Sequence, residues 1–227
     1  RFHPDKAYDF HLEKTLDATI AQHAPAEGAA GIVMDVNTGG ILAMASMPNC
    51  NLNEPYVLTD EAAAAAIDAM ADGDEKTAAL QAAREKQWKN KGVTDIYEPG
   101  SVFKVVTASA ALEEGAATLN SSYNCKGSVM VDGWPRPIHC HNHAGHGLQT
   151  FTEAVVNSCN PAFISIGSSL GAHRFFQYFD AFGLTEKTGI DLPAEAQNSY
   201  YAEDRLNAVS LASCSFGQSN TVTPIQM

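Results

Sequence analysis

Basic residues are scarce in this chain. Fourteen Lys and Arg stand against 26 Asp and Glu, for a formal net charge of −12. That balance excludes nucleic acid as a partner, because phosphate binding draws on a basic surface to release counterions. The acidic residues form no block long enough to suggest a disordered tail, so the charge is chiefly a statement about solubility. The sequence has no run of about eighteen apolar residues, no charged-then-apolar leader and no Met at position 1. The expectation is a piece cut from something longer, with any signal or membrane anchor outside it. Internal repeats and low-complexity linkers are also missing. Cysteine is sparse and odd in number: Cys50, Cys125, Cys140, Cys159 and Cys214. At most two pairs can form, which is not a disulfide scaffold, and the count alone does not settle the redox compartment.

What is present suits one substantial core. With 227 residues and 45% hydrophobic composition, the chain is one domain or a large piece of one. Apolar spacing predicts a helix over Leu12 to His23, ended by Ala24-Pro25-Ala26-Glu27-Gly28. Two β-prone runs, Gly31 to Val36 and Ile41 to Ala45, flank Asn37-Thr38-Gly39-Gly40 and read as a hairpin. Because both runs are nearly all apolar, the hairpin is expected inside a covered sheet. From Asp60 to Asn90 the composition turns to Ala, Glu, Gln and Lys, with Asp60 as a cap and Gly73 as a break between two helices.

A further helix is expected from Ser101 to Glu114, closed by Gly115, with Val102, Val105, Val106 and Leu112 able to face a core. Ser121 to Gly147 reads as short strands and loops. Helical pattern resumes at Thr150 to Asn157 and at Pro161 to Leu170, leaving Ser158-Cys159-Asn160 as the turn between them. Ala172 to Phe182 is the next helix, followed by a loop from Gly183 to Glu195, and Thr223-Pro224-Ile225-Gln226 looks like a helix start.

Ser101-Val102-Phe103-Lys104 is the tetrad with chemical content. At i and i+3 on a helix both side chains share a face, so the Lys104 amine can reach the Ser101 oxygen. Ser101 near the helix start also sees backbone N–H groups that favour developing negative charge. For Lys104 to act as a base its amine must be neutral, which needs burial or a nearby cation. Alone the tetrad is weak: with Ser and Lys each at roughly 6 to 7% of residues, Ser-x-x-Lys arises about once in 240 positions. A capping Ser beside a solvated Lys would look the same.

The surroundings give it weight. The run Trp88-Lys89-Asn90-Lys91-Gly92-Val93-Thr94-Asp95-Ile96-Tyr97-Glu98-Pro99-Gly100-Ser101-Val102-Phe103-Lys104 resembles the approach to the catalytic helix of class B penicillin-binding proteins. Further landmarks agree in order: Ala43-Met44-Ala45-Ser46-Met47-Pro48, Gly145-His146-Gly147, Ser158-Cys159-Asn160-Pro161, Gly189-Ile190-Asp191-Leu192-Pro193 and Thr221-Val222-Thr223-Pro224-Ile225-Gln226-Met227. The likeness extends over nearly the whole chain from about Leu12. It implies an α/β fold of the serine β-lactamase and penicillin-binding transpeptidase kind, with a helical lobe and part of an antiparallel sheet. Residues 1–227 would be the N-terminal part of such a domain, with the C-terminal strands beyond Met227.

The resemblance implies a peptidoglycan D,D-transpeptidase. Ser101 would be acylated by a D-Ala-D-Ala stem peptide or a β-lactam, Lys104 would be the base, Ser158 the proton relay, and Asn160 a ligand of Lys104 and of the substrate amide. Ser122-Tyr123-Asn124 also fits Ser-x-Asn, but it lies in a strand-and-loop stretch, whereas Ser158 to Asn160 sits in an interhelical turn. Lys187-Thr188-Gly189 spells the family's third motif, yet it follows a helix and enters a Pro-bearing loop. The true third motif is expected past Met227, with one oxyanion N–H, so this piece alone would be catalytically crippled. The expected partners are peptidoglycan stem peptides, β-lactam antibiotics and other cell-wall synthesis proteins. The expected location is the extracytoplasmic face of the bacterial cytoplasmic membrane. A serine β-lactamase or a β-lactam sensor shares the Ser-x-x-Lys helix and differs in deacylation.

The resemblance requires no cofactor, but the tract His139-Cys140-His141-Asn142-His143-Ala144-Gly145-His146 raises zinc. Cys140, His143 and His146 are near enough in sequence to share an ion with Cys125 or Asp132 as a fourth ligand. A Cys125 to Cys140 disulfide, His146 as a loop residue before Gly147, and plain surface histidines compete with that reading, since no clean ligand-pair spacing is present. A non-catalytic, zinc-stabilised binding module is the corresponding rival function. Cys159, beside the Ser158 turn, reads as a buried packing residue rather than a nucleophile.

Overall fold

A computed structural model of the chain describes residues 5–227, which fall into two compact units. The first runs to Asp95 and includes Gly189–Ala196; the second comprises Ile96–Thr188 and Gln197–Met227.

In the first unit, helix α1 (Lys6–His23) begins six residues before the expected Leu12, because the Asp5 carboxylate accepts the Ala7 N–H at 2.8 Å. It ends at Ala24, in the left-handed conformation at φ 44°. Strands β1 (Ala29–Met34) and β2 (Ile41–Met47) form the expected antiparallel hairpin, from Ala29 opposite Met47 to Val33 opposite Ala43. Only β2 alternates cleanly, burying Ile41, Ala43, Ala45 and Met47, while β1 is half-buried and Met34 exposed. Among the described residues, cover of the hairpin is uneven, complete at alternate positions of β2 and partial along β1. Helix α1 crosses it at Gly31, where the Leu12 side chain occupies the space a Cβ would need.

Asp60 caps α2 (Glu61–Asp68) by accepting the Ala63 N–H, and Gly73 separates it from α3 (Asp74–Trp88), as expected. Buried Gln87 ties α3 to the loop before α2, donating to the carbonyls of Pro55 and Val57 and accepting from the Thr59 N–H. After the short α4 (Lys91–Thr94), the Val93 carbonyl accepts the Ala196 N–H at 2.9 Å, which binds residues 189–196 into this unit.

The second unit is built around helices. A 3-10 turn (Gly100–Phe103) leads into α5 (Lys104–Glu113), and four short strands follow: β3 (Ser122–Cys125), β4 (Ser128–Val129), β5 (Ile138–His139) and β6 (Gly147–Thr150). β3 pairs with β6 and β4 with β5, both antiparallel. Thr150 and Glu153 cap α6 (Phe151–Val156) reciprocally, and α7 (Asn160–Leu170), α8 (Ala172–Ala181) and α9 (Ala208–Cys214) complete the lobe.

Helix α7 is the buried axis, packing against α5, α8 and α9. Phe103, Phe175 and Phe179 cluster on one side of the lobe, and Phe151, Phe163, Ile166 and Phe216 on another. Val102, Val105 and Leu112 do not join this core: they are 55%, 59% and 39% exposed, and the inward face carries Phe103, Val106, Thr107, Ala110 and Ala111. Each stands one residue off that inward face, whose i, i+3, i+4, i+7, i+8 spacing from Phe103 is that of a single helical stripe. Thr223 to Met227 forms a turn, and Lys187-Thr188-Gly189 lies in a loop outside any strand. Among the described residues, no helix is long and apolar enough to cross a membrane.

Candidate active site

Ser101 sits in the 3-10 turn and Lys104 at the first position of α5. What brings the chain to that point is a backbone embrace with Gly217. The Gly100 N–H donates to the Gly217 carbonyl at 2.8 Å, and Gly217, at φ 81°, lies so close that a Cβ there would stand 2.1 Å from the Gly100 carbonyl oxygen. Only glycine fits at that position. The chain after Gly217 is fastened too: the Ser219 N–H donates to the Glu98 carboxylate at 2.8 Å.

Opposite Ser101, the turn between α6 and α7 delivers the other groups. Lys104 Nζ lies 3.1 Å from Ser101 Oγ, 3.0 Å from Ser158 Oγ, 2.7 Å from the Ser158 carbonyl oxygen and 2.7 Å from Asn160 Oδ1. Asn160 is itself held by β5, its Nδ2 donating to the His139 carbonyl at 3.3 Å. Ser158 has φ 46°, a left-handed conformation that costs a non-glycine residue about 1–2 kcal/mol. That conformation lets both its carbonyl and its hydroxyl reach the same amine.

The acceptor count indicates what Lys104 can do. Two of its four neighbours, the Ser158 carbonyl and Asn160 Oδ1, can only accept. A neutral amine has two N–H groups for those two oxygens, and its lone pair is then left for a hydroxyl proton. Lys104 is only 4% exposed, and burial pushes its pKa down to about 8, against a smaller opposing influence of the Cys159 and Cys140 sulfurs. The Phe163 ring, 5.4 Å from Nζ, is a mild counterweight that favours the cation.

At pH 7 roughly a tenth of the amine is therefore neutral. The rate of any reaction that needs Lys104 as a base should climb with pH, by about tenfold per unit below 8, and level off above it. Following covalent labelling of Ser101 by an acylating reagent between pH 6 and 9.5 checks this, and a flat profile would show that Lys104 does not gate the step.

The structure thus brings Ser101, Lys104, Ser158 and Asn160 into one hydrogen-bonded group. The competing Ser122-Tyr123-Asn124 lies on β3, outside that group. The metal candidates divide differently from the sequence reading. Cys125, Cys140 and His146 converge with Cys159, and the four ligand atoms all lie within 4.8 Å of one another. His143 and Asp132 stay out of this cluster and are exposed, His143 instead facing the His139 ring at 5.3 Å. Cys159 is buried, as expected of a packing residue, in a small cluster that holds Ala154, Ala162 and the sulfurs of Cys125 and Cys140. All five cysteines are free thiols, so Cys125 and Cys140 are not bonded to each other. Sequence reasoning missed Gly217, a lone glycine with no motif around it, and the membership of Cys159.

Comparison with known proteins bears on all of this. Residues 29–227 match the family described as the penicillin binding protein transpeptidase domain. The chain is similar to stage V sporulation protein D of Bacillus subtilis, 36% identical over 216 residues that make up 95% of this chain and 29% of that protein. It is also similar to the peptidoglycan D,D-transpeptidase FtsI of Escherichia coli, 26% identical over 205 residues, 89% of this chain and 29% of that protein. Among solved structures, the transpeptidase domain of Burkholderia pseudomallei penicillin-binding protein 3 superposes with a TM-score of 0.74 at 21% identity, covering 98% of this chain and 54% of that chain. That likeness is one of fold. The chain spans less than a third of the length of the two curated relatives.

Proposed function

Since the chain belongs to the penicillin-binding protein transpeptidase family, we propose that it carries the acylation machinery of a peptidoglycan D,D-transpeptidase, with Ser101 as nucleophile. The observation that carries this reading is the Lys104 amine, buried and within 3.1 Å of Ser101 Oγ, 3.0 Å of Ser158 Oγ and 2.7 Å of Asn160 Oδ1.

In the acylation step, Ser101 Oγ passes its proton to the neutral Lys104 amine and bonds to the carbonyl carbon of the penultimate D-Ala of a stem peptide. The Ser158 hydroxyl, on the other side of the same amine, relays that proton to the nitrogen of the terminal D-Ala as its C–N bond breaks. In the second step an amine of a neighbouring stem peptide attacks the ester, loses a proton to Lys104 and regenerates Ser101. Asn160 holds Lys104 through Oδ1, and its amide nitrogen is directed at the substrate amide once the His139 carbonyl yields it. Nucleophile, base and relay are all side chains, so the acyl transfer needs no cofactor. A β-lactam acylates the same serine. The donor and acceptor peptides place the work outside the cytoplasmic membrane, beside other proteins of wall synthesis.

The test is to incubate the full-length protein with a fluorescent penicillin, measure the intact mass and map the adduct. One equivalent, retained for hours and located on the tryptic peptide Gly92–Lys104, is expected. Rapid loss of the adduct with opened penicillin accumulating would make the protein a β-lactamase instead, and an adduct on another peptide would remove Ser101 from its role.

A further inference from the structure

We propose that Cys125, Cys140, His146 and Cys159 form a tetrahedral zinc site, and that the ion clamps the Ser158–Asn160 turn against Lys104. The clamp half of this proposal rests on the catalytic reading above; the metal half does not.

The four residues come from four separate places in the fold: the end of β3, the residue after β5, the residue before β6 and the residue before α7. Their ligand atoms all fall within 4.8 Å of one another. A tetrahedral zinc with Zn–S of about 2.3 Å and Zn–N of about 2.0–2.1 Å has ligand–ligand edges of roughly 3.5–3.8 Å. Cys140 Sγ and His146 Nδ1 already stand 3.6 Å apart. Three sulfurs and one imidazole nitrogen are the ligand set of closed, structural zinc sites, and they are the wrong set for magnesium or calcium, which take oxygen.

The surrounding backbone is shaped to hold these ligands. A Cβ on Gly145 would stand 2.3 Å from the Cys125 carbonyl oxygen, and one on Gly127 would stand 2.1 Å from that of His143. Both glycines have positive φ, 84° and 87°. Two loops are thereby pressed backbone to backbone, which sets Cys125 beside His146. The Cys140 N–H donates to the Gly127 carbonyl at 2.9 Å, bringing in the third ligand. The three sulfurs are 2%, 1% and 0% exposed.

The position of Cys159 gives the ion a role beyond stability. It stands between Ser158, in its left-handed conformation, and Asn160, and its side chain makes no capping bond to α7. Asn160 donates to the carbonyl of His139, the residue before Cys140. A bond from zinc to Cys159 and another to Cys140 therefore fix both the turn and the strand that positions its asparagine. Thiols that merely pack as small apolar groups would give no such hold.

The experiment uses full-length protein purified under reducing conditions without added metal. Elemental analysis is expected to find one zinc per chain. After removal with a strong chelator, cobalt(II) should restore the visible absorption of a tetrahedral thiolate site. Cys140→Ser and Cys159→Ser should lose the stoichiometric metal, whereas His143→Ala and Cys50→Ser should keep it. Penicillin acylation should fall about tenfold to a hundredfold in the apoprotein and return with zinc.

Wild-type protein that takes up neither zinc nor cobalt stoichiometrically overturns the site even if every cysteine variant misfolds. So does a Cys125–Cys140 disulfide found by peptide mapping of protein isolated without reductant. Stoichiometric zinc with acylation unchanged by its removal overturns the clamp. No acylation in zinc-loaded protein is instead a failure of the catalytic reading, and the metal count judges the site separately.

Discussion

Ser101→Ala is expected to leave no covalent penicillin adduct, and Lys104→Met to slow adduct formation by about 10³- to 10⁴-fold in protein that remains folded. The second effect is the more informative. Methionine keeps the length and apolar stem of lysine, so the buried space beside Phe163 stays filled. What disappears is the amine that contacts Ser101 Oγ, Ser158 Oγ, the Ser158 carbonyl and Asn160 Oδ1. Removing a general base alone costs about 10²- to 10⁴-fold. The upper end applies here because the two obligate acceptors also lose their donor. Lys104→Arg should not restore the rate, since a guanidinium has no accessible neutral form. Rates are read by stopped-flow fluorescence with a labelled penicillin, and far-ultraviolet circular dichroism checks the fold. A residual rate in Lys104→Met within tenfold of wild type would remove Lys104 from the base role.

The second large effect is on stability. Gly167→Ala places a Cβ on α7 that would stand 1.8 Å from Ser215 Oγ and 2.7 Å from Ser215 Cβ. Two terms oppose each other. Alanine is the better helix former by about 1 kcal/mol. Against it, Ser215 is fully buried and its hydroxyl is committed to the Leu211 carbonyl at 2.6 Å, so neither residue can move without parting α7 from α9. Overpacking of this severity costs about 3 kcal/mol or more. Overpacking wins, by about 2–3 kcal/mol. Urea denaturation should show that loss, with the double variant Gly167→Ala/Ser215→Gly recovering most of it: the nearest remaining atom, Ser215 Cα, is 3.8 Å away, an ordinary contact. If the double variant is no more stable than the single one, the close approach of Gly167 and Ser215 is not what the substitution disturbs.

How far the molecule could be read in advance depended on whether a feature was local. Asp60 and Gly73 marked their helices correctly because a cap or a break acts within three or four residues. Ser158-Cys159-Asn160 was legible as an interhelical turn, since Thr150 opens one helix with a capping box and Pro161 begins the next. The Ser101–Lys104 contact follows from spacing alone, but its other partners needed the resemblance to a known family. The facing of Val102 and Val105 is not legible because the apolar residues from 102 to 112 fit more than one helical stripe, and only packing against α7 and α8 selects the one through Phe103, Val106 and Ala110. The thiol cluster was half legible. The crowded His-Cys tract drew attention to Cys140 and His146, but His143 was chosen on proximity in sequence. Cys159 became a neighbour only when α7 docked against β3 and β5. Contacts of that kind are long-range packing, for which no residue spacing stands in.

The return of residues 189–196 to the first unit bears on how the chain is made. Val93 is synthesised about a hundred residues before Ala196, whose N–H its carbonyl accepts. As the ribosome delivers the chain, α1, the hairpin, α2 and α3 emerge early but wait for that last segment. The second unit, which begins at Ile96, must be largely synthesised in the interval. The first unit can close once Ala196 has been made, whereas the second still waits for Gln197–Met227, which brings α9 and the Gly217 contact that holds the start of α5.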